Sequence, residues 1–146
     1  MPHALVSDVH ANLEALQAVL ADIARRGADD IVCLGDFVGY GASPNECMDL
    51  LCPRIESAVL GNHDQAAIDA SVLGDFNPEA AAAARWTARR LTPAHAAWLA
   101  ELPLSLPWHG ARLVHAAPAE PEAWEYVLSL SVAESDLGVD KSGAWR

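Results

Sequence analysis

Three short apolar runs, Ala4–Val6, Ile31–Leu34 and Ile55–Leu60, each stop abruptly at a polar cluster. Their length and β-branched content predict buried strands, which need no alternation when both faces are covered. Between the first two, Leu13, Leu16, Leu20 and Ile23 recur at helical spacing and predict a helix over about 13–26. Asn12 stands at its N-cap and Gly27 where a C′ glycine belongs. Ser43-Pro44-Asn45-Glu46 has the form of a capping box with proline at the first helical position, and predicts a helix from Pro44 to Leu51. Asn77-Pro78 and Thr92-Pro93 start two more, over about 78–91 and 93–101. Leu104–Trp108 and Arg112–His115, joined at His109-Gly110, predict a hairpin. A short helix is expected over about 122–130, and the stretch 131–146 carries no pattern that assigns it structure.

Strand–helix alternation followed by a hairpin argues for an α/β fold with its parallel strands first and a short second sheet. The 146 residues are expected to form a single domain, 1–146, with 131–146 as a tail.

The polar clusters carry the chemistry. They are Asp8-Val9-His10, Gly35-Asp36 and Gly61-Asn62-His63-Asp64, and a fourth strand ends in His115. Parallel strands gather such groups at one edge, where open α/β sheets build their sites. With side chains alternating along a strand, Asp8 and His10 are expected to point the same way. A carboxylate beside a neutral imidazole suits Zn²⁺, Fe or Mn²⁺. Asp36 brings a second carboxylate, which can bridge two ions. Asn62 offers an amide oxygen to a metal and an N–H₂ to a phosphate oxygen, and His63 is placed to bind phosphate and to carry a proton to a leaving group. Asp64, adjacent in sequence, is expected to orient the His63 imidazole. Alone, each cluster reads equally as an Asx turn or a helix cap; three at successive strand ends do not.

The other histidines are expected to lie elsewhere. His3 begins the first strand, roughly 16 Å from Asp8, and His109 lies about 20 Å along its strand from His115. His95 falls on a helix. Trp86, Trp98 and Trp108 are expected to pack helices and hairpin against the sheet.

Composition narrows the partners. The net charge of −11 repels phosphate backbones, so nucleic acid is not expected, whereas a small phosphorylated substrate remains compatible because bound metal can override the global field. No run approaches a membrane span and no signal peptide is evident. Cys33, Cys47 and Cys52 form no Cys-x-x-Cys motif and are expected to be reduced thiols of a cytoplasmic protein.

The order of these clusters resembles that of the calcineurin-like metallophosphoesterase family, over about 4–118. Ser7–Leu16, Gly35–Gly41 and Asp75-Phe76-Asn77-Pro78 with Trp86-Thr87 resemble its bacterial and archaeal branch, related to diadenosine tetraphosphatases and protein phosphatases. The resemblance implies a four-layer αββα sandwich with two divalent ions (Mn, Fe or Zn). Asp8 and His10 would bind one ion, Asn62 and His115 the other, and Asp36 both. His63, supported by Asp64, would be the proton donor. The implied activity is hydrolysis of a phosphomonoester, phosphodiester or nucleotide by in-line attack of a hydroxide held between the metals.

One part of the family pattern is not found. The closing Gly-His-x-His motif does not occur, and the resemblance fades after Glu125-Tyr126. Each ion would keep three protein ligands, so affinity and occupancy are expected to fall. The open hairpin edge is expected to pair with another copy in a homo-oligomer, since Leu137, Val139 and Trp145 offer no clear strand to cover it. The alternative to an active hydrolase is a truncated or degenerate homologue that holds metal and phosphate with little or no turnover.

Overall fold

The structure, a computed structural model, describes residues 2–136. Strands β1 (His3–Val6), β2 (Asp30–Cys33) and β3 (Ile55–Ala58) form a parallel sheet in that order, with helices α1 (Leu13–Arg25) and α2 (Pro44–Leu51) in the crossovers. Helices α3 (Asn62–Ile68), α4 (Pro78–Arg90) and α5 (Pro93–Ala100) follow. Strands β4 (Ser105–Trp108) and β5 (Ala111–Val114) make an antiparallel hairpin, and α6 (Leu130–Asp136) closes the described chain.

The alternation along β2 separates two packing faces. Ile31 and Cys33 meet Leu16 and Leu20 of α1, Met48 and Leu51 of α2 and Leu99 of α5. Val32 points the other way, onto Val59 and Leu113, with Leu106 and Trp108 of the hairpin beside them. Helices, parallel sheet and a two-stranded antiparallel sheet thus stack in that order, the expected α/β sandwich with a short second sheet. Met48, Leu51 and Leu99 are completely buried, and each contributes about 1.5–3 kcal/mol by leaving water. Leu5, in register with Val32, stays 55% exposed, while the apolar residues of the hairpin cluster with Val32 of β2 and with Val59 just past β3.

Local signals set most boundaries. Asn12 Oδ1 accepts the Ala15 N–H at 3.1 Å, Asn77 Oδ1 that of Ala80 at 2.8 Å, and Thr92 Oγ1 that of His95 at 3.2 Å. Gly27, at φ +67°, ends α1 in a Schellman turn: its N–H reaches Ala24 O, and the Ala28 N–H reaches Ile23 O. Ser43 makes no side-chain cap bond, so the start of α2 rests on Pro44 and its preset φ.

Two expectations about the C-terminal third are corrected. Residues 122–130 are not a helix: Pro121–Ala123 form one 3₁₀ turn, which Trp124 ends at φ +54°. The helix comes later, at Leu130–Asp136, where the Ser129 hydroxyl accepts the Val132 N–H at 3.3 Å. Leu137, Val139 and Trp145 lie outside the described residues.

Candidate metal centre

Beyond β1 and β2 the chain does not continue as strand. Asp8, His10 and Ala11 adopt φ of +57°, +47° and +54°, and Asp36 and Tyr40 adopt +56° and +54°. Asp8 and His10 are therefore brought together by left-handed turns, not by strand alternation as expected. Non-glycine residues in this region each cost of order 1–3 kcal/mol and persist only where surroundings enforce them. Here one loop is laced to the other: Asp8 N–H to Gly35 O at 3.1 Å, His10 N–H to Asp36 O at 2.9 Å, and Ala11 N–H to Phe37 O at 3.0 Å.

Asp36, only 2% exposed, sits at the middle of the cluster. Its Oδ2 lies 3.5 Å from His10 Nε2 and 3.4 Å from His115 Nε2. Both rings are held from behind: His10 Nδ1 is 3.1 Å from Val38 O, and His115 Nδ1 is 2.7 Å from Leu34 O. A carbonyl partner assigns a proton to Nδ1 and turns Nε2 inward, as in metal-ligating histidines. Two ring nitrogens beside a carboxylate oxygen call for positive charge between them, supplied by a proton on His115 in the metal-free chain or by a metal ion on the neutral rings. Asp8 Oδ1 is 3.6 Å from His10 Nε2, and Asn62 Oδ1 is 3.2 Å from His115 Nε2. The ligand atoms of Asp8, His10 and Asp36 all lie within 4.8 Å of one another. This mixed nitrogen and oxygen set suits a divalent metal ion.

The titration behaviour expresses the same demand for cations. Burial pushes the Asp36 carboxyl up, but the hydrogen bond and charge of His115, with His63 and His10, outweigh it and hold the group below its ordinary range. Burial works against a charged His115, yet Asp36 and the Leu34 carbonyl raise it to about 9. His63 is lowered, chiefly by burial, with Asp36 opposing and His10 and His115 reinforcing.

The role expected of Asp64 is corrected. Its fully buried carboxylate accepts three backbone N–H groups, from Asp36 at 2.8 Å, Val38 at 3.1 Å and Gly61 at 3.1 Å. It does not bond the His63 ring, whose Nδ1 is buried without a partner among the described residues. Burial, with Asp36 adding to it, pushes Asp64 up to about 7, and the three N–H groups pull it back. Asp64 shapes the loops, and His63 takes its position through its backbone N–H, which donates to Asp36 Oδ1 at 2.9 Å.

Comparison with known proteins decides the family. The family model for calcineurin-like phosphoesterases matches residues 1–127. The chain belongs to the calcineurin-like phosphoesterases. An uncharacterised protein of Methanocaldococcus jannaschii is 44% identical over 129 residues, covering 86% of this chain and 53% of the relative. A crystal structure of a metallophosphoesterase from Sphaerobacter thermophilus superposes with a TM-score of 0.79 at 41% identity, over 93% of this chain and 55% of that one. A candidate diadenosine tetraphosphatase shares the fold, with a TM-score of 0.61 at 24% identity, over 85% of this chain and 55% of its own. The chain thus spans about half the length of these relatives.

Two glycines set this phosphoesterase loop geometry. A Cβ on Gly61 would stand 2.1 Å from Asp36 Oδ1 and 2.3 Å from Asp36 N. Gly39, at φ +90°, passes so close to His63 that a Cβ would be 2.7 Å from Nδ1.

The aromatic residues around the candidate metal centre were not foreseen. Tyr40 lies 4.9 Å from His10 and 4.4 Å from His63 between ring centroids, and Phe76 lies 5.0 Å from His63. Trp124 Nε1 donates to Gln65 Oε1 at 2.7 Å, which sets its ring 6.0 Å from His115. With Asn62 and Tyr126 these residues line a cleft of about 430 Å³. Trp98 packs on Phe37, and Trp108 on the apolar cluster of the hairpin, as expected. Trp86 instead carries the Arg90 guanidinium, 5.4 Å above its ring. His95 is not brought to the centre: it joins α5 to α2 through Asn45 at 2.9 Å and Asp49 at 3.1 Å.

Proposed function

We propose that this chain carries the reacting centre of a divalent-metal-dependent phosphoesterase, acting on a phosphomonoester, a phosphodiester or a nucleotide. The observation that carries this reading is the single oxygen, Asp36 Oδ2, flanked at 3.5 and 3.4 Å by two inward-facing imidazole nitrogens. Asp8 and His10 would hold one ion, Asn62 and His115 a second, and Asp36 both. Bound there, Mn²⁺, Fe²⁺ or Zn²⁺ would supply Lewis-acid charge to the phosphoryl group and lower the pKa of water.

The side chains supply the rest. The Asn62 amide offers its oxygen to a metal and its N–H₂ to a phosphate oxygen. His63 stands next to the centre with its ring in an apolar wall, and burial makes its imidazolium a ready donor to a leaving oxygen. The aromatic cleft of Tyr40, Phe76, Trp124 and Tyr126 gives a base or aryl leaving group faces to stack on, which favours a nucleotide among the substrates. The thiols of Cys33, Cys47 and Cys52 are free, which suits a reducing, cytoplasmic setting. Among the described residues no helix is long and apolar enough to cross a membrane.

The test is hydrolysis of an aryl phosphate and of a bis-aryl phosphodiester with added Mn²⁺. Hydrolysis that stops on chelation and in Asp36→Asn supports the reading. Metal bound at these residues with no hydrolysis of either ester would replace it with the binding-module alternative.

A further inference from the structure

The two histidines that distance along the strands sets apart from the metal centre, His3 and His109, meet at the other end of the sheet. His3 opens β1 and pairs in register with Asp30, which opens β2. On β3, Ile55 pairs with Ile31 and Ser57 with Val32, so Glu56 is the extra residue of a bulge, a device that re-aims a side chain. The β4–β5 hairpin folds over the same face and turns through His109 and Gly110 at φ +46° and +82°, the signature of a two-residue I′ turn. That turn sets the His109 ring 5.2 Å from the His3 ring, with Trp108 5.0 Å from His3 on another side.

Three polar side chains converge, and the His109 ring stands beside one of them, Glu56. His3 Nδ1 is 3.2 Å from Glu56 Oε2 and 3.9 Å from Asp30 Oδ2, and His109 Nε2 is 4.0 Å from Glu56 Oε1. One ligand atom from each of His3, Asp30 and Glu56 lies within 4.8 Å of the others. His3 Nδ1 itself is shut off from solvent and makes no hydrogen bond among the described residues, although two carboxylates stand beside it. A shielded ring nitrogen without a partner, between two carboxylates, is a vacant donor for a cation.

We propose that His3, Asp30 and Glu56, with His109 closing the set, form a second metal site that takes one Zn²⁺, separate from the phosphoesterase centre. Two imidazole nitrogens and two carboxylate oxygens make a four-coordinate donor set of the kind Zn²⁺ adopts when its role is structural. The ligands come from β1, β2, β3 and the hairpin turn, so the ion ties the two sheets together at the end opposite Asp36. This matters because the hairpin is only two strands and is otherwise held by the apolar contacts of Trp108, Leu106 and Leu113.

The test compares zinc content and stability in the parent chain, Glu56→Gln and Asp30→Asn/Glu56→Gln, each stripped with chelator and reloaded. The parent retains one more Zn²⁺ per chain than either variant. Zinc at a hundred-fold excess over Kd raises its Tm by about 5–10 °C, and the increment falls in the variants. As a measurement needing no variant, titration of the parent with Zn²⁺ shifts the NMR ring-proton signals of His3 and His109 together. Equal zinc content in all three proteins, or ring signals of His3 that do not respond, would overturn the proposal and leave the cluster an ion-pair network only.

Discussion

The carboxylate of Asp64 accepts the backbone N–H of Asp36 at 2.8 Å. This bond, with those to Val38 and Gly61, fixes the left-handed turn that presents the Asp36 side chain to both imidazoles. Asp64→Asn places an N–H₂ against at least one backbone donor and leaves it unsatisfied. The variant is expected to lose about 1–3 kcal/mol of stability in urea unfolding, with weakened metal binding. A large fall in turnover with unchanged stability would instead restore Asp64 as a partner of His63.

His63 reaches the centre through its backbone, and its ring is not among the groups converging on Asp36 Oδ2. His63→Ala should keep its metal content and lose about 10²–10⁴-fold in turnover on esters with poor leaving groups. The loss should shrink for aryl leaving groups that need no proton. Loss of metal in this variant would make His63 a ligand.

Three glycine substitutions separate geometry from mere flexibility. Gly61→Ala drives a methyl to 2.1 Å from Asp36 Oδ1 and should abolish metal binding. Gly39→Ala presses on the His63 ring and should lower turnover while metal remains. Gly27→Ala meets nothing within 4 Å, so only its φ of +67° matters, at about 1–2 kcal/mol of stability and no change in metal content. Elemental analysis and thermal melts of the three variants check this order.

Metal uptake should release protons. His115 is raised to about 9 in the metal-free chain, from an ordinary 6.5. Its ion pair with Asp36 therefore stabilises the metal-free fold fully below pH 6.5, and that contribution is lost as pH rises through 9. A metal needs the neutral ring, so affinity should rise over the same window. Calorimetry in buffers of different ionisation enthalpy should find close to one proton expelled from His115 between these limits. No proton release there would contradict its place among the ligands.

Much of this was legible because the signals are local. Strand runs, Asn12, Gly27, Asn77 and Thr92 act within a few residues of themselves, and the structure places them as the spacing predicts. Asp64 was misread because its partners are backbone N–H groups of residues 36, 38 and 61, and backbone groups leave no sequence signal. Asp8 and His10 turn in the left-handed region, which no alternation rule anticipates. His3 and His109 were judged by distance along their own strands. That reasoning separates them from Asp8 and His115 but says nothing of their meeting each other across two sheets.

The central claim is that one oxygen of Asp36 serves both halves of the centre. Elemental analysis of the parent, Asp8→Asn and Asp36→Asn, loaded with Mn²⁺ under the same conditions, tests it most directly. Asp8→Asn should weaken one ion and spare the other, whereas Asp36→Asn should weaken both together. Manganese content in Asp36→Asn equal to that of the parent would contradict the account.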